Sequence, residues 1–224
     1  MAQAGKKPVI SQKVNPATTA LRLKTINDSV SYAIGVSVAN FYNQQGIKNL
    51  NGTIVSKAIN DVFSGKKAIL NDQTCNDVLN AYLRKMEEEK NKGALDSGIK
   101  FLAENKKRPA VKTTASGIQY EVIVEGAGPK PSATDSVTCN YMGVFLNGVE
   151  FDNSYTRGEP ATFALNRVIA GWTEGLQLMS VGSKYKFYIP YNLGYGVYDY
   201  NNIPGGSTLI FEVVLLDIKK TVTQ

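Results

Sequence analysis

Val168-Ile169-Ala170-Gly171-Trp172-Thr173-Glu174-Gly175 is the stretch on which the reading of this chain turns. It holds the only tryptophan, and Leu176 and Met179 follow that residue at i+4 and i+7. This is one apolar face of a helix about two turns long. The segments on either side are aromatic and have strand character. A large flat ring at a helix start, with Tyr141, Phe151, Phe163, Tyr195 and Phe211 in the flanking segments, points to an apolar pocket rather than a polar catalytic centre.

Outward from the tryptophan the pattern has period two. Ile118, Tyr120, Val122 and Val124 alternate with Gln119, Glu121 and Ile123. Val137, Cys139 and Tyr141 form a second such run, Tyr185, Phe187 and Ile189 a third, and Leu209, Phe211, Val213 and Leu215 a fourth. Such runs predict half-buried antiparallel strands, and Asn147-Gly148 predicts a hairpin. The second half is therefore expected to be one curved antiparallel sheet wrapped on the Trp172 helix, giving an α+β chain.

Upstream the period lengthens to that of a helix. Between Thr19 and Lys107 there is no proline, and Ile26, Val30, Ala33, Ile34, Val38 and Phe41 recur at three- and four-residue steps. Gly46 ends that helix. A second is expected from Thr53 to Phe63, stopped by Gly65, and a third is capped by Asn71 or Asp72. Continued to Lys107, the third would be about 35 residues and on the order of 50 Å long, a connecting rod that is polar all round at its middle. Gly93 and Gly98 are where it would bend. The expected organisation is a flexible tail at 1–18, a helical domain with its connecting helix at 19–107, a linker at 108–117 and the sheet domain at 118–221. Short helices bury little surface alone, so residues 19–86 are expected to pair with a second copy.

Composition removes several function classes. Of 224 residues, 43% are hydrophobic and 20% charged, ordinary for a globular chain of two domains. With no histidine there is no Ser-His-Asp or Cys-His arrangement and no histidine metal site. Cys75 and Cys139 are isolated and read as buried thiols, so neither a metal nor a cofactor is expected. The net charge is +6, but the cations are interleaved with acids. The densest cluster, Lys106, Lys107, Arg108 and Lys112, reads as solvated linker rather than a nucleic-acid surface. No run reaches the roughly 18 apolar residues of a membrane span, and no signal-peptide core is present.

From Thr113 to Lys219 the chain resembles the FKBP family of peptidyl-prolyl cis-trans isomerases. The resemblance rests on six motifs in order: Tyr141-Met142-Gly143, Phe151-Asp152-Asn153-Ser154, Val168 to Trp172, Leu178 to Gly182, Gly194-Tyr195-Gly196, and Ile203-Pro204 followed by Leu209-Ile210-Phe211. Ser31 to Gly35, Phe101 to Asn105 and Thr114 to Tyr120 are similar to the bacterial dimeric branch related to macrophage infectivity potentiator. The resemblance implies non-covalent acceleration of X-Pro isomerisation in folding polypeptides, or alternatively a dimeric chaperone with catalysis secondary. It implies Tyr141, Asp152 and Tyr195 as catalytic residues, with Asp152 bonded to Tyr141. It implies Trp172 as the floor of a substrate pocket whose walls are Phe151, Phe163, Val168, Ile169, Ile203 and Phe211. Homodimerisation, macrolide inhibitors of the family as ligands, and a periplasmic location after signal removal, with cytoplasm as the alternative, follow from the same likeness. Either Tyr198 or Tyr200 is expected to cover the pocket mouth, and Ala161 stands where many members carry a second wall aromatic.

Overall fold

In the computed structural model, residues 22–220 are described; the expected tail at 1–18 lies outside them. The chain divides after Asn51 into two compact units. The first contains α1 (Ile26–Gln44), which starts as its sequence dictates. The Thr25 hydroxyl accepts from the Asp28 N–H at 3.1 Å, and Asp28 accepts from the Thr25 N–H at 2.9 Å, a reciprocal capping box. Gly46 follows with φ 89°, the left-handed stop that glycine permits. No residue of α1 is buried.

The second unit opens with α2 (Gly52–Phe63), α3 (Asp72–Lys90) and α4 (Lys92–Asn105). Asn71 caps α3 by accepting from the Thr74 N–H at 2.8 Å. The rod is interrupted, but at Asn91 rather than at either glycine. Gly98 has a different use, because a Cβ there would fall 2.3 Å from the Thr208 hydroxyl. It marks a close approach between α4 and the sheet domain, so this part of the rod is docked and not solvated.

The sheet has seven strands, all paired antiparallel: β1 (Lys112–Thr113), β2 (Gln119–Val124), β3 (Ser136–Val144), β4 (Glu150–Asn153), β5 (Ala161–Ala164), β6 (Lys184–Ile189) and β7 (Leu209–Lys219). The order is β1-β2-β6-β7-β3-β4, with β5 also pairing β3. Residues 112 and 113, expected in a linker, form β1 because the turn at Gly117 (φ 101°) folds them back on β2. Burial alternates residue by residue along β3, as period-two patterning requires. Arg108 is likewise no free linker cation. It donates to Asn105 at 2.8 Å, to the Tyr188 hydroxyl at 3.2 Å and to Glu121 at 2.8 Å. Asn105, itself buried, donates to Gln119 at 2.9 Å, which ties the end of α4 to the sheet.

Two short helices complete the domain, α5 (Ser154–Arg157) and α6 (Ala170–Leu176). α6 lies against the inner face of the sheet with Trp172 and Leu176 buried, and Met179 just beyond it is buried too. It comes this near because two of its residues lack side chains. A Cβ on Gly171 would sit 2.5 Å from Ile189, and one on Gly175 would sit 2.9 Å from Phe187. Cys139 is buried, and that burial pushes its thiol up to about 12. Gly171→Val should therefore destabilise the fold by about 1–3 kcal/mol through overpacking. Urea unfolding followed by Trp172 fluorescence checks this, with a midpoint at lower urea than the parent expected.

Candidate active site

One face of the sheet, α6 and the neighbouring loops line a cavity of about 530 Å³. Each element supplies it with a definite side chain. β3 contributes Tyr141, β4 contributes Phe151 and Asp152, β5 contributes Phe163, and β7 contributes Phe211. Val168 and Ile169 lead into α6, which carries Trp172. The segment after Tyr191–Leu193 adds Tyr195 and Ile203. All ten residues expected at the site thus line one cavity.

Trp172 is 5% exposed and is met edge-on by three rings. Tyr141 lies at 5.0 Å and 87°, Phe211 at 5.2 Å and 80°, and Phe163 at 5.3 Å and 82°. Perpendicular aromatic contacts of this kind are worth about 0.5–1.5 kcal/mol each beyond area burial. Phe151 extends the cluster, perpendicular to Phe211 at 5.4 Å. Gly143 makes room for both of these rings, since a Cβ there would come within 2.8 Å of each. The Trp172 Nε1 is buried with no hydrogen-bond partner among the described residues, an unmet donor of the kind that calls for an explanation at a functional site.

Tyr141, Asp152 and Arg157 form one hydrogen-bonded group beside the aromatic cluster. The Tyr141 hydroxyl donates to Asp152 at 2.5 Å. Arg157 donates to the other carboxylate oxygen of Asp152, and to the Tyr141 hydroxyl at 2.8 Å. Burial, and then the bond to Asp152, pushes the Tyr141 phenol up to about 12, so it is a neutral donor at ordinary pH. The backbone of Tyr141 is held from the far side by Ser154, whose buried hydroxyl accepts its N–H at 2.9 Å. Burial first, and then Tyr200, raises Tyr195 above the usual phenol range. Its ring stacks on Tyr200 at 4.7 Å and 14°.

Three further lining residues, Arg167, Asn201 and Asn202, are not among the expected site residues, and Tyr200, one of the two tyrosines expected at the mouth, lines the cavity as well. Tyr198 does not line the cavity. Arg157 was also missed, since nothing in its spacing from Asp152 links the two before the chain folds. Ser154 sat within a quoted motif, but its bond to the backbone of Tyr141 has no sequence signature. The arrangement pairs no nucleophile with a base. It offers an aromatic enclosure with a few fixed hydrogen-bonding groups at its edge, suited to binding a compact apolar ring beside a carbonyl.

Comparison with known proteins agrees with this geometry. Residues 128–216 match the family model described as FKBP-type peptidyl-prolyl cis-trans isomerase, and residues 27–122 match the domain amino terminal to it. The FKBP-type peptidyl-prolyl cis-trans isomerase FkpA of Aeromonas hydrophila is 43% identical over 211 residues, covering 88% of this chain and 78% of that protein. The outer membrane protein MIP of Legionella longbeachae is 38% identical over 212 residues and 91% of each chain. The crystal structure of FkpA from Escherichia coli superposes with a TM-score of 0.58 at 35% identity, over 88% of this chain and 99% of that one. With the amino-terminal and isomerase regions both matched, the chain belongs to the FKBP-type peptidyl-prolyl cis-trans isomerases and shares their enzymatic activity.

Proposed function

We propose that the cavity over Trp172 is where this isomerase binds the prolyl ring, and that Tyr141, Asp152 and Tyr195 act on the amide. The observation that carries the proposal is the perpendicular packing of Tyr141, Phe163 and Phe211 around the indole, with the Tyr141–Asp152 hydrogen bond at its edge. An X-Pro amide has cis and trans forms within about 1 kcal/mol, separated by a barrier near 18–20 kcal/mol. Reaching roughly 10³ turnovers per second takes about 7 kcal/mol off that barrier. No bond need break. The twisted amide has lost its resonance and is less dipolar than the planar one, so an apolar enclosure favours it. Trp172 is the floor, with Phe151, Phe163, Val168, Ile169, Ile203 and Phe211 as the walls. The Ile169 N–H and the Tyr195 hydroxyl donate to the carbonyls of the bound chain, while Asp152 faces the rotating carbonyl. Macrolide inhibitors of the family would occupy the same hollow.

Residues 19–86 are proposed as the homodimer interface. The described part of this region leaves much apolar surface uncovered, with Phe41 56% and Phe63 86% exposed, and an isolated helix is marginal in water without a packed face. The substrates are polypeptides with X-Pro bonds. The periplasm is proposed as the compartment, in keeping with a relative named as an outer membrane protein; cell fractionation distinguishes it from the cytoplasm.

Asp152→Leu and Tyr195→Phe should each lower kcat/KM on a short X-Pro peptide by roughly ten-fold or more, on the scale of one lost hydrogen bond in a desolvated site. Melting temperatures should change little, and a large drop would make these residues structural instead. Turnover of the parent should be flat between about pH 6 and 9, because the raised Tyr141 and Tyr195 stay protonated there. A bell-shaped profile in that range would contradict the mechanism. Phe41→Glu should halve the mass seen by light scattering while short-peptide turnover is unchanged, since Phe41 lies outside the cavity lining.

A further inference from the structure

Asn91 alone separates α3 from α4, although neither proline nor glycine stands there. Its dihedrals, φ −98° and ψ 13°, lie in the sparsely populated bridge region. Asparagine at such a place commonly caps the helix that follows, yet its side chain makes no capping bond to α4. Instead Nδ2 donates at 2.9 Å to the carbonyl of Val197, a buried residue of the sheet domain, with a longer contact of 3.4 Å to Glu87. One residue earlier, Lys90 reaches Asp199 at 2.8 Å, and the other oxygen of that carboxylate accepts the Gly205 N–H at 2.8 Å. The break in the helix therefore faces a single loop, 196–206, which is closed at its base by the Gly206 N–H bonding to the Gly196 carbonyl at 2.8 Å.

The fit is close enough to need glycine. A Cβ on Gly205 would fall 1.9 Å from the Val197 carbonyl oxygen and 2.5 Å from Asn91 Nδ2. One on Gly206, whose φ is +75°, would fall 2.8 Å from Leu95 of α4. The same loop forms one wall of the cavity. Tyr200 and Ile203 exchange backbone hydrogen bonds at 2.9 and 2.8 Å across a tight turn in which Asn201 has φ 51°. Tyr200 stacks on Tyr195, and Ile203 is buried against the core.

We propose that Asn91 is a positioning residue for the isomerase pocket. By donating to the Val197 carbonyl it holds the 196–206 loop so that Tyr200 stays stacked on Tyr195 and Ile203 stays in the wall. Of the two ties, the Asn91 bond carries the effect. Lys90 and Asp199 are both about half exposed, and an ion pair so open to water contributes little. The Asn91 bond ends on a buried carbonyl that would otherwise lose its partner. This inference rests on the cavity being the isomerase site.

The test uses the full chain and three variants: Asn91→Ala, the nearly isosteric Asn91→Asp, which lacks the donor, and Lys92→Ala as a control. Lys92 is the next residue along the helix and, among the described residues, its ammonium pairs with Asp96 at 2.8 Å on the exposed face. Alanine is a better helix former than asparagine, so Asn91→Ala should fold. Both Asn91 variants should lower kcat/KM on a short X-Pro peptide roughly three- to ten-fold, the scale of one hydrogen bond, with the loss in KM and kcat nearly constant. Amide exchange at Gly205 and Gly206 should quicken in both, while Lys92→Ala alters neither readout. Unchanged kcat/KM and unchanged exchange in both Asn91 variants would overturn the proposal, as would an equal loss in Lys92→Ala. If Asp152→Leu and Tyr195→Phe left kcat/KM unchanged, the pocket assignment would fall instead, and the exchange comparison would still report whether Asn91 holds the loop.

Discussion

Trp172 can serve as the proposed floor only if it cannot tilt, and the domain is built to prevent tilting. α6 is seven residues long, too short to hold a position by its own hydrogen bonds. Its placement comes from contact, through Gly171 against Ile189 and Gly175 against Phe187, with Leu176 and Met179 buried behind. Three rings then meet the indole edge-on from β3, β5 and β7. β5 and β7 are each hydrogen-bonded to β3, so the rings cannot move independently of the sheet. Loss of the glycines would lift Trp172, and loss of the register would scatter the rings around it.

The polar wall is governed by a different balance. Arg157 and Asp152 are each around 40% exposed, so their ion pair adds little to stability. Its effect is on orientation. A carboxylate bonded on one oxygen by Arg157 and on the other by Tyr141 has a single direction to face. Ser154 fixes the strand from which Tyr141 projects. The guanidinium and the carboxylate also offset one another at the edge of the cavity, so an aromatic enclosure can keep a charged residue at its rim without becoming a charged pocket. This suits the proposed passage through a twisted amide that is less polar than the planar one.

The repetitive features were legible in the sequence. Period-two alternation located β2, β3, β6 and β7, Gly46, Gly65 and Asn71 bounded helices where expected, and the motifs named ten side chains that meet in one cavity. What escaped notice was set by contacts between distant segments. β1 is two residues long, too short for any period to show. Arg157 and Ser154 act across turns that only the folded strands bring together. Gly98 looked like a flaw in a helix, and proved to be the place where α4 touches Thr208. A glycine in a helical pattern has two readings, loss of helix propensity or room for a neighbour, and the neighbour here is 110 positions away.

The helical region serves two ends that its composition does not separate. α1 has apolar side chains at helical spacing and buries none of them. α4 has a comparable share of apolar residues, but Phe101 reaches Tyr188 at 5.6 Å and Leu95 packs at Gly206. Hydrophobic content alone cannot say which helix is already satisfied, because burial depends on the partner surface and not on the helix. The partner surface of α4 is recognisable by its glycines. Gly205 and Gly206 accept a helix at a distance no side chain would allow, and that surface is the outer side of the loop bearing Tyr200 and Ile203. A cavity loop that leans on the connecting helix ties the shape of the cavity to that helix by packing, and the polar bond from Asn91 to Val197 lies within that contact.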